Sequence, residues 1–95
     1  MSNPLVTYDA TTKELRNNPA AFAEKEEYVA SIDWEKDVGD NVEPGDVLAT
    51  IQWNDNSRES LKAPNGCAGT VSYLNKNIRF ENLEYEPSQL LAQIS

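Results

Sequence analysis

Histidine is absent from this 95-residue chain, and cysteine occurs once, as Cys67. Without histidine, Ser-His-Asp and Cys-His catalysis, histidine zinc sites and the usual neutral-pH proton shuttle are excluded. A lone cysteine forms no disulfide within the chain and builds no thiolate metal site. Cys67 is therefore interpreted as a small apolar or turn-adjacent residue. We expect no metal and no enzyme activity.

Basic residues are also scarce, since eight Lys and Arg accompany sixteen Asp and Glu, for a formal net charge of −8. Binding to nucleic acid or to an anionic membrane needs clustered positive charge, so neither is expected as a partner. No apolar run is long enough to span a membrane, and the first residues lack the regions of a secretory signal. These two features predict a soluble, cytoplasmic protein. The length predicts a single domain, and the oligomeric state is left open.

Residues 1–27 differ in pattern from the rest and are predicted to form a partly helical N-terminal extension. A capping box at residues 11–14 predicts one short helix. A second short helix is expected over residues 20–27, with Phe22 and Ala23 as its apolar contacts.

Residues 28–95 instead show the pattern of short strands separated by tight turns. Alternation over residues 29–34 predicts a half-buried strand. Glu-Pro-Gly-Asp at 43–46 predicts a type II turn, because Pro fixes φ at the second position and Gly accepts positive φ at the third. Turn-forming residues at 54–57 predict the tip of a hairpin. Further strands are expected over residues 47–51, 70–74 and 78–80.

The end of the chain repeats part of its first half. Residues 42–51 align without gaps to residues 85–94, and five of the ten positions are identical (Glu, Pro, Leu, Ala and Ile). Upstream, residues 32–34 correspond more loosely to residues 71–73. Two similar units, neither able to bury its apolar face alone, predict two sheets packed face to face about a pseudo-two-fold axis.

Three blocks of sequence point to a family. Residues 38–51 follow the pattern V-G-D-x-V-x-x-G-D-x-L-x-x-I, residues 62–64 are Lys-Ala-Pro, and residues 69–71 are Gly-Thr-Val. This series resembles the biotinyl/lipoyl-carrier domains over residues 28–95, whereas residues 1–27 have no counterpart. The resemblance implies an all-β barrel-sandwich hybrid of two four-stranded sheets with quasi-two-fold symmetry.

In carriers of this family, one lysine at the hairpin tip becomes amide-linked to lipoate or biotin and swings between partner enzymes. The attachment position falls at Asn56 when counted back from Ala63, and at Asp55 when counted forward from Ile51. Neither side chain has the primary amine that the linkage requires. The resemblance therefore implies a carrier-like domain without a covalent cofactor.

A second register would place lipoate or biotin on Lys62. Residues 59–63 (Glu-Ser-Leu-Lys-Ala) are similar to the sequence around the lipoyl lysine of glycine-cleavage H-proteins. In this register the strand after Lys62 is too short and the strand before it is too long. A swinging-arm carrier modified at Lys62 is therefore the alternative, and the unmodified domain is favoured.

Acidic residues are concentrated between Glu24 and Asp46, where nine acids accompany two lysines. Alternation would place Asp33, Glu35 and Asp37 on one side of a strand. Such a surface either keeps the fold solvated or complements a basic partner, which includes mimicry of DNA towards a nucleic-acid-binding protein.

The tip hairpin is the other predicted contact surface, because an aromatic and a basic residue flank it. An exposed aromatic side chain there would be a plausible anchor for a partner. The predicted contact residues are Trp53, Asn54, Asp55, Asn56 and Arg58. We therefore expect a non-catalytic interaction module, an accessory, decoy or inhibitor that binds a basic protein through its acidic surface and tip hairpin. The alternatives are the Lys62 carrier and the DNA mimic.

Overall fold

A computed structural model describes residues 4–95, and the fold is all-β, as the sequence predicts. The elements follow one another as β1 (Val6–Asp9), β2 (Glu14–Asn17), α1 (Pro19–Ala23), β3 (Val29–Trp34), β4 (Asn41–Val42), β5 (Val47–Trp53), β6 (Arg58–Lys62), β7 (Gly69–Leu74), a 3₁₀ helix (Phe80–Asn82) and β8 (Leu90–Ile94). None of the helical segments within residues 4–95 has the length and apolar character that crossing a membrane requires.

The strands form two antiparallel sheets of unequal size. One has the order β1-β2-β8-β7-β4 and the other the order β3-β5-β6. The expectation of four strands in each sheet is therefore wrong for the described residues. Residues 28–95 contribute three described strands to each sheet, and the N-terminal hairpin adds two more to one of them, because β2 pairs with β8.

The aligned repeat gives each sheet an equivalent central strand. In β5 and in β8 a buried Leu-Ala pair is followed by one half-buried residue and a buried Ile: Leu48, Ala49, Thr50 and Ile51 in β5, and Leu91, Ala92, Gln93 and Ile94 in β8. The cross-strand partners match too, because Ile32 of β3 lies opposite Ile51 and Val71 of β7 lies opposite Ile94. These side chains belong to a single apolar core. Burying one of this size stabilises the fold by about 1.5–3 kcal/mol.

The helix predicted from the capping box is wrong, because residues 14–17 form β2. The hydroxyl of Thr12 does bond the Glu14 carboxylate, but that carboxylate pairs with Arg16 at 3.1 Å. Lys13 has a φ of 60°, which no helix allows, and Leu15 is buried opposite Ala92 of β8. Pairing with a distant strand thus overrides a local helix signal.

The second predicted helix exists but is shorter, as α1. Phe22 is buried as expected, whereas Ala23 is exposed and Ala21 takes the buried position. Proline at the first helical position and the amides of Ala21 and Phe22, which donate to the Asn18 carbonyl, set its start.

Both predicted turns are confirmed. The amide of Asp46 donates to the carbonyl of Glu43 at 3.0 Å, and Gly45 has a φ of 90°. At 54–57 the amide of Trp53 donates to the carbonyl of Ser57 at 2.8 Å and closes the β5–β6 hairpin.

The strand predicted at 78–80 is wrong. A 3₁₀ helix begins at Phe80, and residues 75–89 form an irregular crossover between β7 and β8. We call residues 75–89 the crossover segment.

Candidate protein-binding face

The tip of the β5–β6 hairpin is polar and carries no lysine. Asn54, Asp55 and Asn56 are exposed, and Asn56, the counted attachment position, has a φ of 72°. Arg58 is exposed and lies opposite Gln52. The tip is tied to β3 through Tyr28, whose amide donates to the Asn54 side chain and whose carbonyl accepts from the Asn54 amide.

Hydrogen bonds within the tip hold its turn. The hydroxyl and the amide of Ser57 donate to the Asp55 carboxylate, and they hold the pKa of that carboxyl below its ordinary value of 3.8. Asp55 is therefore ionised at neutral pH and closes a local turn of the kind that aspartate favours.

Trp53 does not supply the exposed aromatic anchor that the sequence predicts at the tip. Only 4% of the residue is exposed, because its ring packs against Phe22 of α1 at a centroid distance of 6.2 Å. The ammonium of Lys25 lies 5.5 Å from the ring centroid and pairs with Glu59 at 3.0 Å. The last residue of β5 therefore faces inwards and is covered by α1.

Lys62 ends β6 and is exposed, at the end of the hairpin opposite the tip. It lies across from Val47 and next to Ala63, whose amide donates to the carbonyl of Asp46. The structure therefore places this lysine in a paired strand and away from the turn at 54–57.

The three predicted surface acids are exposed, but they do not share one strand face throughout. β3 ends at Trp34, so only Asp33 lies within it. Glu35 accepts a hydrogen bond from the hydroxyl of Thr50 at 3.2 Å. Asp37 lies in a turn, where its backbone amide donates to the Asp40 carboxylate. Among residues 4–95, none of these three carboxylates pairs with a lysine or arginine.

A cleft lined by aromatic side chains lies between β3 and the crossover segment, and sequence reasoning did not find it. Its volume is about 170 Å³, and we call it the aromatic cleft. Its aromatic and aliphatic lining residues are Phe22, Tyr28, Val29, Trp53, Phe80, Leu83 and Tyr85. Tyr28 and Tyr85 are 70% and 59% exposed, whereas Phe22, Trp53 and Leu83 are buried. Its charged lining residues are Lys25, Glu27, Glu81 and Glu84.

Two side-chain amides position the crossover wall of this cleft. The buried Asn17 of β2 donates to the carbonyl of Leu83 at 2.7 Å and accepts from the amide of Gln89 at 2.6 Å. The Gln89 side chain bonds both backbone groups of Arg79, at 2.8 and 2.9 Å. These bonds fix the crossover segment at Arg79, Leu83 and Gln89, and Phe80 and Tyr85 lie between these residues.

A second cleft continues along β3 on the other side of Phe80. It has a volume of about 350 Å³, and we call it the acidic cleft. It is lined by Ile32, Asp33, Trp34, Asp37, Lys76, Ile78 and Phe80 among others. Trp34 closes one end, because its indole nitrogen donates to the carbonyl of Asn75 at 3.0 Å. The two clefts unite predicted residues Trp53, Asp33 and Asp37 with aromatic residues that carried no signal in the sequence.

Cys67 is fully buried, and burial raises the pKa of its thiol above the ordinary value of 9.0. Cys67 belongs to the apolar core, which confirms its interpretation as a small apolar residue. In the described part of the chain, no three His, Cys, Asp or Glu side chains converge as metal ligands would.

Comparison of the chain with protein-family models, with curated proteins and with solved structures finds no significant match to any of them.

Proposed function

We propose that this chain is a non-catalytic protein–protein interaction module with a biotinyl/lipoyl-like fold and no covalent cofactor. It binds a protein that is basic at the contact and serves as an accessory, decoy or inhibitor of that partner in the cytoplasm. The observation that carries the proposal is the face along β3, where unpaired carboxylates stand beside exposed aromatic side chains. This combination suits a basic protein surface with apolar anchors.

The fold assignment, a barrel-sandwich hybrid, draws support from the equivalence of β5 and β8. Each is central in its sheet and each pairs with a strand, β3 or β7, from the matching half of the repeat. The N-terminal hairpin is an addition to that arrangement, and the three-stranded sheet contains the carrier-like hairpin.

The absence of a cofactor is supported by the residues at the hairpin tip. Amide formation with lipoate or biotin needs a primary amine, and the turn at 54–57 consists of Asn, Asp, Asn and Ser. Asp55 is bonded to Ser57, so this turn is stabilised by the residues that replace the lysine.

Intact mass of the chain from a host with active lipoate and biotin ligases tests this point. We expect the unmodified mass for the wild type. For Lys62→Arg we expect a mass that differs from it only by the change of Lys to Arg. A wild-type mass raised by one lipoyl or biotinyl group, and lost in Lys62→Arg, would establish the carrier modified at Lys62.

Affinity capture from cells of the source organism tests the interaction. We expect a basic protein that the wild type retains at low salt and releases at high salt. The Asp33→Asn/Asp37→Asn variant should lose it, whereas the matched control Glu26→Gln/Glu43→Gln should keep it, because both control carboxylates are exposed and line neither cleft. Equal retention by both variants would contradict the proposal.

If the chain is a DNA mimic, its partner is also basic, but the aromatic cleft has no part in the binding. A mimic of phosphate spacing depends on carboxylates alone. Loss of binding on charge removal, together with full binding by Tyr85→Ala, would favour that alternative.

A further inference from the structure

The aromatic and acidic clefts lie in a row along β3 and share Phe80 as their common wall. Tyr28 and Val29 line the first, and Ile32 to Trp34 line the second. Tyr28 bonds Asn54 and Asp33 lies opposite Thr50, and a β-bulge between Val29 and Ser31 adds one residue to β3. The separation measured along β5 is therefore four positions, which corresponds to about 13 Å. A ligand that reaches both clefts must span this distance.

The size of the aromatic cleft selects a single side chain. Its volume of about 170 Å³ is close to the roughly 150 Å³ of an apolar cavity that accepts a benzene ring, and is well below the roughly 300 Å³ at which small-molecule and cofactor sites begin. A large aliphatic or aromatic side chain fits it. The buried floor of Phe22, Trp53 and Leu83 is apolar, as such an occupant requires.

The charge around both clefts selects the rest of the ligand. Five carboxylates line them, from Glu27, Asp33, Asp37, Glu81 and Glu84, against two lysines, Lys25 and Lys76. Lys25 is also paired with Glu59. The face is therefore net acidic, and a lysine or arginine is the side chain that complements the acidic cleft.

The neighbourhood of β3 favours an extended ligand. Among the described strands, β3 is an edge strand whose hydrogen-bonded neighbour is β5. A segment that runs alongside such an edge presents alternate side chains to the same surface, so positions four apart both face the protein.

We propose that the two clefts bind an extended basic segment of the partner protein. One large apolar side chain enters the aromatic cleft, and a lysine or arginine four residues away enters the acidic cleft. This inference rests on the proposed function and specifies which part of the partner is recognised.

Synthetic peptides test it directly. The probes have a Ser/Thr background of roughly twelve residues, with one Leu and one Lys separated by two to eight positions. Trp53 and Trp34 line one cleft each, so the intrinsic fluorescence of the chain reports occupancy of both. We expect the tightest binding at a separation of four, and a loss of at least about tenfold when Lys is replaced by Glu.

Two tyrosine variants localise the contact. Tyr85→Ala should weaken the best peptide by about tenfold, because Tyr85 forms the rim of the aromatic cleft. Tyr73→Ala is the matched control, since Tyr73 is a similarly exposed aromatic on β7 that lines neither cleft. Amide chemical-shift changes should be concentrated in β3 and in the crossover segment.

Other outcomes overturn the inference. These are no peptide binding, an optimum at seven or eight positions (as a helix would give), equal effects of the two tyrosine variants, or shift changes elsewhere. If a captured basic partner still depends on Asp33 and Asp37 while the peptides fail, the proposed function stands and only this recognition mode falls. If peptides bind as expected but cells yield no partner, the cleft chemistry stands and the proposed function falls.

Discussion

At the scale of single residues, the junction of β7 with the chain end depends on a glycine. Gly69 has a φ of 147°, and a Cβ added there would lie 2.5 Å from the carbonyl oxygen of Ser95 and 2.8 Å from Cγ2 of Ile94. That carbonyl also accepts the amide of Thr70 at 3.0 Å, so it cannot withdraw without loss of a strand bond. A side chain at residue 69 would therefore disturb the pairing of β7 with the residues that end the chain.

We expect Gly69→Ala to lower the free energy of unfolding by about 1–3 kcal/mol more than Gly66→Ala does. Gly66 is the matched control, because it also has a positive φ but has open space around its would-be Cβ. Both variants bear the strain of the left-handed backbone, and only the first adds a clash with backbone atoms. Urea unfolding followed by tryptophan fluorescence measures the difference, and equal losses would show that β7 and the chain end adjust freely.

At the scale of elements, the crossover segment has little secondary structure of its own. Side-chain hydrogen bonds hold it in place instead. Asn17 is the buried polar residue of the described core, and its amide bonds Leu83 and Gln89 across the interface between β2 and the crossover. Buried amides of this kind stabilise chiefly because an unpaired partner is costly. Asn17 therefore links the N-terminal hairpin to the wall of the aromatic cleft.

We expect Asn17→Ala to cost about 1–3 kcal/mol, because it leaves the carbonyl of the buried Leu83 and the partly buried amide of Gln89 without this partner. The Gln89 amide should also exchange its hydrogen faster in the Asn17→Ala variant than in the wild type. Asn77→Ala is the control, since Asn77 is exposed and surface changes usually stay within about 0.5 kcal/mol. Unchanged exchange at Gln89 would mean that the crossover does not depend on this bond.

At the scale of the whole molecule, residues of the N-terminal hairpin and α1 are part of the same core as residues 28–95. β2 lies between β1 and β8, and Leu5, Val6, Leu15 and Phe22 are all buried. Without them β8 would have an open edge, and the Trp53 ring would lose its contact with Phe22. We therefore expect residues 28–95, the predicted domain, to depend on these contacts.

We expect the chain truncated to residues 28–95 to lose well over about 3 kcal/mol of unfolding free energy, the typical cost of removing one large buried side chain. Self-association through the exposed β8 edge should accompany this loss. Urea unfolding and light scattering, compared with the full chain at the same concentration, measure both. A truncated chain with the same unfolding midpoint and a monomeric mass would show that residues 1–27 are dispensable.

The sequence alone was enough where local chemistry decides the structure. Pro44 and Gly45 determine their turn because each fixes or permits a particular φ, and the polar run at 54–57 determines the hairpin tip. The repeat between residues 42–51 and 85–94 predicted equivalent strands, because the same spacing of apolar residues buries the same face. The absence of a lysine from residues 54–57 is likewise a matter of residue identity.

Only the tertiary structure decided what depends on distant partners. Residues 14–17 follow a helix-start signal at residues 11–14, yet they form a strand that pairs with the distant β8. Trp53 stands next to an exposed turn in sequence, but packing against Phe22 turns it into the core. The two clefts arise where β3 meets the crossover segment, and no local pattern reports which segments meet. Long-range pairing and burial are collective properties of the folded chain, whereas turn geometry and residue chemistry are local properties.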